Sequence, residues 1–224
     1  MKLGSSNRRT NAMTLTEVLV VVVVIAVLVF MILPTLIPPQ RHVAKINCIN
    51  NVKQIGLGFR VWEGAQKVVF PMQKSITKGG VLELSAKGNV AAIFRVMSNE
   101  LSTPKILICP EDESHRFASD FISGFGNTNI SYFVGLDADD NCPTSILTGD
   151  DNFAINGAPV KSGVLLLSTN IPLAWTNERH VLKGNIGLAD GSVQTTTDSS
   201  LTDTIINQYK FSSDFTNRFR FAIP

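Results

Sequence analysis

The chain carries, close to its amino terminus, an unbroken apolar run from residue 18 to residue 33 that reads VLVVVVVIAVLVFMIL. These sixteen residues, with apolar neighbours on either side, approach the length at which a helix crosses the hydrocarbon core of a bilayer. Valine and isoleucine are weak helix formers in water, but a segment in lipid must satisfy its own backbone hydrogen bonds, and a single strand cannot do this. We therefore predict a transmembrane helix over residues 13–37, with a kink at Pro34.

A second apolar pattern follows the two prolines at residues 38 and 39, and it has the spacing of a helix with one buried face. Apolar residues recur every three or four positions, at Val43, Ile46, Ile49, Val52, Ile55, Phe59 and Trp62. Many positions between them are polar or basic, so the pattern predicts an amphipathic helix over residues 40–62. We expect its apolar stripe to pack on a β-sheet, and we assign residues 38–62 to this continuation of the helix into a head domain.

Residues 63–224 are expected to form this globular head, mostly from short strands. Apolar segments bounded by turn residues indicate strands at residues 105–109, 131–136, 163–168, 185–189 and 192–196. The last two segments flank Asp190-Gly191, a dipeptide favoured in two-residue hairpin turns, so Asp190 is interpreted as a turn residue rather than a catalytic one. Short helices are expected at residues 90–97 and 201–210. The predicted fold class is α+β, with a long amino-terminal helix packed on a small antiparallel β-sheet head.

Charge is unevenly distributed along the chain. The first twelve residues hold Lys2, Arg8 and Arg9 and no acidic residue, which leaves 17 of the 20 basic residues to balance all 18 acidic ones. Basic residues on one side of an apolar span favour a cytoplasmic location for that side, so we expect the head to lie across the membrane. The residues after the span lack the small-residue pattern of an ordinary signal-peptide cleavage site. The near-neutral remainder argues against nucleic acid as a partner, because phosphate binding needs a concentrated basic surface.

Glu17 stands out at the edge of the apolar run. A carboxylate that faces hydrocarbon is costly, so an ionisable residue at this position is a functional candidate. The alternative is that Glu17 marks the boundary of the membrane and has no further role.

Residues 11–19, with the sequence NAMTLTEVL, resemble the processing site of type IV prepilins and type II secretion pseudopilins. This resemblance implies that a prepilin peptidase cuts between Ala12 and Met13, removes residues 1–12 as a leader and methylates the new amino terminus. Alanine at residue 12 departs from the glycine that usually precedes the cut. Glu17 becomes the fifth residue of the mature chain, as in that family, and Pro34 becomes the twenty-second, where many pilins also have proline. The implied role of Glu17 is to pair with the Met13 amine of a neighbouring subunit and so to set the axial register of a fibre.

The helix after the span and several segments of the head extend the resemblance over most of the chain. Residues 48–57, with the sequence CINNVKQIGL, are similar to the helix of a pseudopilin-like group common in Planctomycetes and Verrucomicrobia. Further similar segments are VMSNEL at residues 96–101, CPED at residues 109–112, SYFVGLDA at residues 131–138 and LADGSV at residues 188–193.

The resemblance implies a pseudopilin-like structural subunit, assembled through its amino-terminal helix into a type II secretion pseudopilus or a type IV pilus-like fibre. The implied partners are a prepilin peptidase, other pilin or pseudopilin subunits, an inner-membrane platform protein, an assembly ATPase and membrane lipid. The implied location is the inner membrane, crossed once, with a cytoplasmic amino terminus and a periplasmic head. The alternative is a single-pass, membrane-anchored periplasmic binding protein.

No enzymatic activity is predicted. His42, His115 and His180 are scattered along the chain, and neither a nucleophile-elbow motif nor a nucleotide-binding glycine pattern occurs. An anchored periplasmic enzyme is therefore the weakest of the three hypotheses.

The chain has three cysteines, Cys48, Cys109 and Cys142, and an odd count excludes complete pairing within one chain. The resembling group often has the first two, which implies a disulfide between Cys48 and Cys109 and a free Cys142. Pairing of Cys109 with Cys142, or three reduced and buried thiols, are the alternatives.

The densest acidic segment is the loop at residues 137–141, with Asp137, Asp139 and Asp140. Oxygen-rich loops can bind calcium, and some major pseudopilins bind it in their heads. The loop lacks the spacing of an EF-hand, however, and a solvated turn is the preferred interpretation. No cofactor is predicted beyond this calcium candidate, and the cysteines lack the CxxC spacing of a zinc knuckle.

Overall fold

The computed structural model describes residues 14–32, 40–66, 69–168, 171–211 and 219–224. The chain divides into two compact units, residues 1–40 and residues 41–224. In the first unit, helix α1 (Leu15–Ile32) has no buried residue, and within the described ranges it is the one helix long and apolar enough to cross a membrane. The residues on either side of the predicted cut, Ala12 and Met13, lie outside the described residues, as does the predicted kink at Pro34.

Helix α2 (Gln40–Gln66) extends four residues beyond the end predicted for the amphipathic helix. Its predicted stripe is buried from Val52 through Ile55 and Phe59 to Trp62. The prediction is wrong at the start of the stripe, where Val43 and Ile46 are about half exposed. The head covers α2 only from about residue 48 onward, so the periodic pattern continues where no sheet lies against it.

Four short helices complete the α-helical part of the described head. They are α3 (Leu82–Ser85), α4 (Val90–Val96), α5 (Ser98–Leu101) and α6 (Asp198–Phe211). Short 3₁₀ helices lie at Pro71–Gln73, Ile76–Lys78, Pro104–Leu107 and Asn127–Asn129. The helices expected at residues 90–97 and 201–210 are therefore confirmed as α4 and as most of α6.

The strands form two antiparallel sheets. In chain order they are β1 (Tyr132–Gly135), β2 (Ile146–Asp150), β3 (Phe153–Ile155), β4 (Ala158–Pro159), β5 (Gly163–Leu167), β6 (Leu173–Trp175), β7 (Gly184–Leu188), β8 (Val193–Thr196) and β9 (Phe219–Ile223). The larger sheet has the order β5-β9-β1-β2-β7-β8, and the smaller one has the order β4-β3-β6. The chain is thus α+β with antiparallel sheets, as predicted.

The predicted strands are confirmed at β1, at β5 and at the hairpin of β7 and β8. In that hairpin Asp190 accepts a hydrogen bond from the Ser192 amide, and Gly191 has a positive φ of 85°. The strand predicted at residues 105–109 is wrong, because a 3₁₀ helix begins at Pro104. Proline at the first helical position presets φ, and the Thr103 hydroxyl accepts a hydrogen bond from the Lys105 amide, which caps the turn.

The larger sheet has buried side chains on both faces. Along β1, Tyr132 and Val134 belong to the apolar cluster that contains the buried face of α2, whereas Phe133 belongs to a second cluster. Successive side chains of a strand point to opposite faces, so α2 covers one face and the second cluster covers the other. That second cluster also contains Trp175 of the smaller sheet and Leu201 of α6. The central strands therefore lie inside the head, and this places β2 and β7 next to the site described below.

Candidate functional site

Four side chains with metal-binding chemistry converge inside the head. They are Cys48 on α2, Cys109 after the 3₁₀ helix, Asp150 at the end of β2, and His180 in the connection between β6 and β7. All four residues are buried, and one ligand atom from each lies within 4.8 Å of the other three. Among the described residues, no other group of three or more histidine, cysteine and carboxylate side chains lies close enough together to bind one metal ion.

Three contacts define the geometry of this cluster, which we call the Cys-Asp-His cluster. The Cys48 thiol donates a hydrogen bond to Asp150 Oδ1 at 3.1 Å. Cys109 Sγ lies 3.4 Å from His180 Nε2, and that nitrogen lies 3.5 Å from Asp150 Oδ2. Each member of the cluster therefore contacts at least one other member directly.

Asp150 is held in place by Asn185 of the adjacent strand β7. The Asn185 backbone amide donates to Asp150 Oδ2 at 2.7 Å, and its side-chain amide donates to the same oxygen at 2.9 Å. The Asn185 side chain is itself oriented by the Thr195 hydroxyl of β8, which donates to its Oδ1 at 2.8 Å. The carboxylate thus has a defined direction, set by the pairing of three neighbouring strands.

The two cysteines are brought together by contacts between α2 and the segment that precedes β1. Asn51, one turn after Cys48, donates a side-chain hydrogen bond to the Ile108 carbonyl at 3.0 Å. The Cys109 amide donates to the Ser131 hydroxyl at 3.1 Å. The Tyr132 hydroxyl lies 3.3 Å from Cys48 Sγ, which adds a polar contact on the buried side of the helix.

His180 lies in an unusual stretch of backbone. His180, Val181 and Leu182 have φ values of 54°, 51° and 55°, in the left-handed region that favours glycine. Valine is especially disfavoured there because it is β-branched, and strained residues of this kind cost about 1–3 kcal/mol each and cluster at functional sites. The His180 amide donates to Glu111 Oε2 at 2.9 Å, and the same oxygen lies 3.1 Å from His180 Nδ1 without an aligned hydrogen bond. The surrounding contacts therefore hold this imidazole against local backbone preference.

Burial and close contacts both shift the pKa values of the cluster, and they act in different directions on its members. Burial raises the pKa of the Cys48 thiol, and the neighbouring Cys109 and Asp150 raise it further. The hydrogen bond with Cys48 lowers the pKa of Cys109, and His180 adds to this effect, although burial opposes it. Burial tends to lower the pKa of His180, but contacts with Cys109 and Asp150 outweigh it and raise that pKa. Cys109 is therefore the thiol that loses its proton more readily.

A buried ion-pair network adjoins the cluster through its neighbours in sequence. Arg179 lies 3.0 Å from Asp112 Oδ2, also pairs with Asp151, and is only 5 % exposed. His115 Nδ1 lies 2.8 Å from Asp112 Oδ2, the same oxygen that contacts Arg179. Burial tends to raise the pKa of Asp112, but His115 and Arg179 hold it well below its usual range. The guanidinium of Arg179 is thus occupied by carboxylates outside the Cys-Asp-His cluster.

The structure brings some of the residues predicted from sequence together and leaves others apart. Cys48 and Cys109 meet inside the head as free thiols, while Cys142 is partly exposed. Because both thiols are unbonded here, the disulfide between Cys48 and Cys109 stays a prediction. Glu17 lies in the first turn of α1, where it accepts a hydrogen bond from the Thr14 amide at 2.8 Å.

The three carboxylates considered for calcium have separate partners. Asp137 pairs with Arg220, and Asp140 pairs with Arg60. Asp139 accepts a hydrogen bond from the backbone amide of Asn141 at 3.0 Å. A solvated turn stays the preferred interpretation of this loop, and calcium binding stays the alternative to it.

Sequence reasoning did not find Asp150 and His180 as site residues. It treated His180 as one of three scattered histidines, and it gave Asp150 no role. No short motif could have revealed the convergence, because the four members are separated by between 30 and 61 residues from one to the next. Pairing of β2 with β7 and packing of α2 against the segment that precedes β1 bring them together.

Comparison of the chain with protein-family models, curated proteins and solved structures found no match. Arguments about function therefore rest on the residues and contacts of this chain.

Proposed function

We propose that the chain is a pseudopilin-like structural subunit, cut between Ala12 and Met13 and assembled through its amino-terminal helix into a type II secretion pseudopilus or a type IV pilus-like fibre. The observation that supports this function is the character of α1. Its eighteen residues are exposed and almost wholly apolar, and they carry one carboxylate, Glu17, in the first turn.

The exposure of α1 requires a covering surface outside its own chain. Burying a valine, leucine or isoleucine side chain contributes about 1.5–3 kcal/mol, so a helix of this composition left in water would be strongly unfavourable. Lipid covers such a helix before assembly, and the equivalent helices of neighbouring subunits cover it in a fibre. The same segment then serves first as a membrane anchor and later as the assembly surface.

Glu17 gives the helix packing a fixed register. Its carboxylate accepts hydrogen bonds from the amide and the hydroxyl of Thr14, at 2.8 Å and 2.9 Å, in an arrangement that stabilises the start of α1. In hydrocarbon the carboxylate needs a cation, and the Met13 amine of a neighbouring processed subunit supplies one. Loss of one member of a buried ion pair costs about 3–5 kcal/mol, which is enough to determine how two helices align.

The exposed start of α2 extends the apolar surface available to a second copy. Val43 and Ile46 follow the helical spacing of the buried stripe, but the head does not cover them. In a fibre these side chains pack against the corresponding part of a neighbouring subunit. Such packing accounts for an apolar stripe that continues past the region where the chain can bury it.

The proposal places the chain in the inner membrane, which it crosses once, with residues 1–12 in the cytoplasm and the head in the periplasm. Its partners are a prepilin peptidase, further pilin or pseudopilin subunits, a platform protein, an assembly ATPase and the lipid around α1. The subunit itself performs no catalysis, so energy for assembly comes from the ATPase.

Mass spectrometry of the protein purified from its native membrane tests the processing step. We expect a mature chain that begins at Met13 and carries one methyl group on its amine. A native protein that retains Met1 would contradict the proposal and would favour a single-pass, membrane-anchored periplasmic binding protein.

Substitution of Glu17 tests the assembly step. We expect Glu17→Ala to insert into the membrane as the unaltered protein does, while association of subunits weakens about 100-fold or more, because the Met13 amine loses its partner. Thr16→Ala, in the same exposed turn, is the matched control and should leave association unchanged. The assay is the yield of cross-linked multimers and sedimenting fibres, measured beside membrane fractionation. Unchanged multimer yield in Glu17→Ala would refute the register role.

A further inference from the structure

The Cys-Asp-His cluster is not explained by fibre assembly. Four potential metal ligands from four different segments meet in the interior of the head, where buried ionisable groups need specific partners. From this convergence we propose that Cys48, Cys109, Asp150 and His180 bind one zinc ion, which ties α2 to the larger sheet.

The donor set is one that zinc accepts. Zinc is bound in proteins by cysteine thiolate, histidine nitrogen and aspartate oxygen, almost always with four ligands in a tetrahedron at structural sites. Metal–ligand distances of about 2.0–2.3 Å place neighbouring ligand atoms of a tetrahedron about 3.3–3.8 Å apart. The distances of 3.1 Å between Cys48 Sγ and Asp150 Oδ1 and of 3.4 Å between Cys109 Sγ and His180 Nε2 lie close to that range, and one ligand atom from each of the four residues lies within 4.8 Å of the others. Small shifts of the side chains would therefore complete the site.

Charge also favours a divalent cation at this position. Binding deprotonates both thiols, and the two protons pass to solvent. Two thiolates and the Asp150 carboxylate then carry three negative charges, of which zinc neutralises two. The nearby guanidinium of Arg179 is already engaged by Asp112 and Asp151. The ion supplies most of the positive charge that the buried sulfur and oxygen atoms require.

The residues around the cluster orient its ligands in the manner of known metal sites. Asp150 receives two hydrogen bonds from Asn185, which leaves Oδ1 directed at Cys48. His180 directs Nε2 into the cluster, and its backbone amide donates to Glu111 Oε2 at 2.9 Å. Its Nδ1 lies 3.1 Å from the same oxygen without an aligned hydrogen bond, so Glu111 positions His180 through the backbone. The strained backbone at His180 has a physical reason if metal coordination offsets its cost.

A cleft of about 580 Å³ borders the cluster at His180, whose side chain is itself fully buried. The charged residues that line this cleft are Glu111, Glu113, Glu178, Lys45 and Lys183. Because four protein ligands fill the coordination sphere, the proposed zinc has a structural role and leaves no position for a substrate.

Zinc and a disulfide are mutually exclusive uses of the same two thiols. A bond between Cys48 and Cys109 would leave Asp150 and His180 buried beside a neutral disulfide, with no role for their convergence. Metal binding uses all four side chains, which is the reason to prefer it.

The test uses the full-length protein, expressed with zinc in the medium and purified in detergent without chelators. Zinc per chain is measured by elemental analysis for the unaltered protein, for Cys48→Ser, Cys109→Ser and Asp150→Asn, and for Cys142→Ser as the matched control. We expect about one zinc per chain in the unaltered protein and in Cys142→Ser, and much less than one zinc per chain in the other three variants, because each of them lacks one of the four ligands. Asp150→Asn keeps the shape of the side chain, so its loss of zinc does not depend on a misfolded cysteine variant.

A measurement without any substitution provides an independent check. Replacement of zinc by Co²⁺ in the unaltered protein should produce thiolate-to-cobalt charge transfer and the intense visible absorption of a tetrahedral site. The absence of zinc together with one reactive thiol per denatured chain would overturn the proposal and show that two of the three cysteines form a disulfide, with Cys48 and Cys109 as the predicted pair. The absence of zinc with three reactive thiols would overturn it as well, because the cluster would then be an apo cluster of reduced residues.

Discussion

Replacement of Phe59 by alanine tests how α2 is held in the head. The Phe59 side chain is fully buried, and its ring makes edge contacts with Phe70 at 5.9 Å and with Phe94 at 6.1 Å between ring centroids. A phenylalanine-to-alanine change in a core costs about 3–5 kcal/mol, and each aromatic pair contributes about 0.5–1.5 kcal/mol beyond its buried area. We expect Phe59→Ala to lower the free energy of unfolding by about 4–5 kcal/mol, at the upper end of the range for such changes because two aromatic pairs are lost with it. This is a large part of the stability of an ordinary domain.

The matched control is Leu57→Ala on the same helix, because Leu57 is 61 % exposed. That change should alter stability by no more than about 0.5 kcal/mol. Phe59→Leu keeps an apolar side chain and should cost about 1–2 kcal/mol, so it gives a measurable value even if Phe59→Ala fails to fold.

The assay is urea unfolding of the full-length protein in detergent at fixed free zinc, followed by tryptophan fluorescence. Trp62 lies in the cluster with Phe59, and Trp175 lies in the cluster on the other face of the sheet. With a slope of about 2 kcal/mol per M, Phe59→Ala should lower the urea midpoint by about 2–2.5 M. Equal effects of Phe59→Ala and Leu57→Ala would refute the orientation of α2 described above.

Two further predictions use the same unfolding assay. The contact with Asp112 raises the pKa of His115, so this pair stabilises the folded state below about pH 6.5 and loses its contribution as pH rises through the higher folded-state pKa. The stability difference between the unaltered protein and His115→Gln should therefore shrink from pH 6 to pH 9, and a constant difference would contradict it. Gly184→Ala should lower the free energy of unfolding by about 1–3 kcal/mol, because the added Cβ would lie 2.2–2.4 Å from ring carbons of the buried Trp175. The control is Gly64→Ala on α2, where no atom lies within 4 Å of the added Cβ, and this change should be neutral or stabilising. Equal urea midpoints for the two glycine variants would contradict this prediction and show that the Trp175 ring moves aside without a loss of stability.

The proposed zinc site and the aromatic core hold different parts of α2. Cys48 lies near the point where the head begins to cover the helix, while Phe59 and Trp62 lie toward its end. Removal of zinc should therefore loosen the start of the buried part more than its end. Hydrogen exchange of α2 amides with and without a chelator distinguishes these two regions. If the chelator changed exchange equally along the helix, zinc would not stabilise the start of the buried part in particular.

Short-range sequence patterns were sufficient to predict those helices and turns that form through interactions between residues close together in the chain. An unbroken apolar run near a basic segment indicates α1, because backbone hydrogen bonds in lipid can be satisfied within one helix. Asp190-Gly191 indicates the hairpin of β7 and β8, because the turn needs positive φ at that point. The helical stripe from Val52 to Trp62 is likewise readable from spacing alone. The same rule failed at Val43 and Ile46, since periodicity shows which face of a helix is apolar and not where a sheet covers it.

The Cys-Asp-His cluster depends on contacts between distant segments. His180 reaches it through a left-handed backbone that local preference disfavours for histidine, valine and leucine, so no propensity scale points to it. Asp150 becomes a ligand candidate because β7 pairs with β2 and presents the two Asn185 donors to its carboxylate. Strand pairing and helix packing bring groups far apart in the chain within a few ångströms of one another. Residue spacing along a single sequence carries no record of such distances.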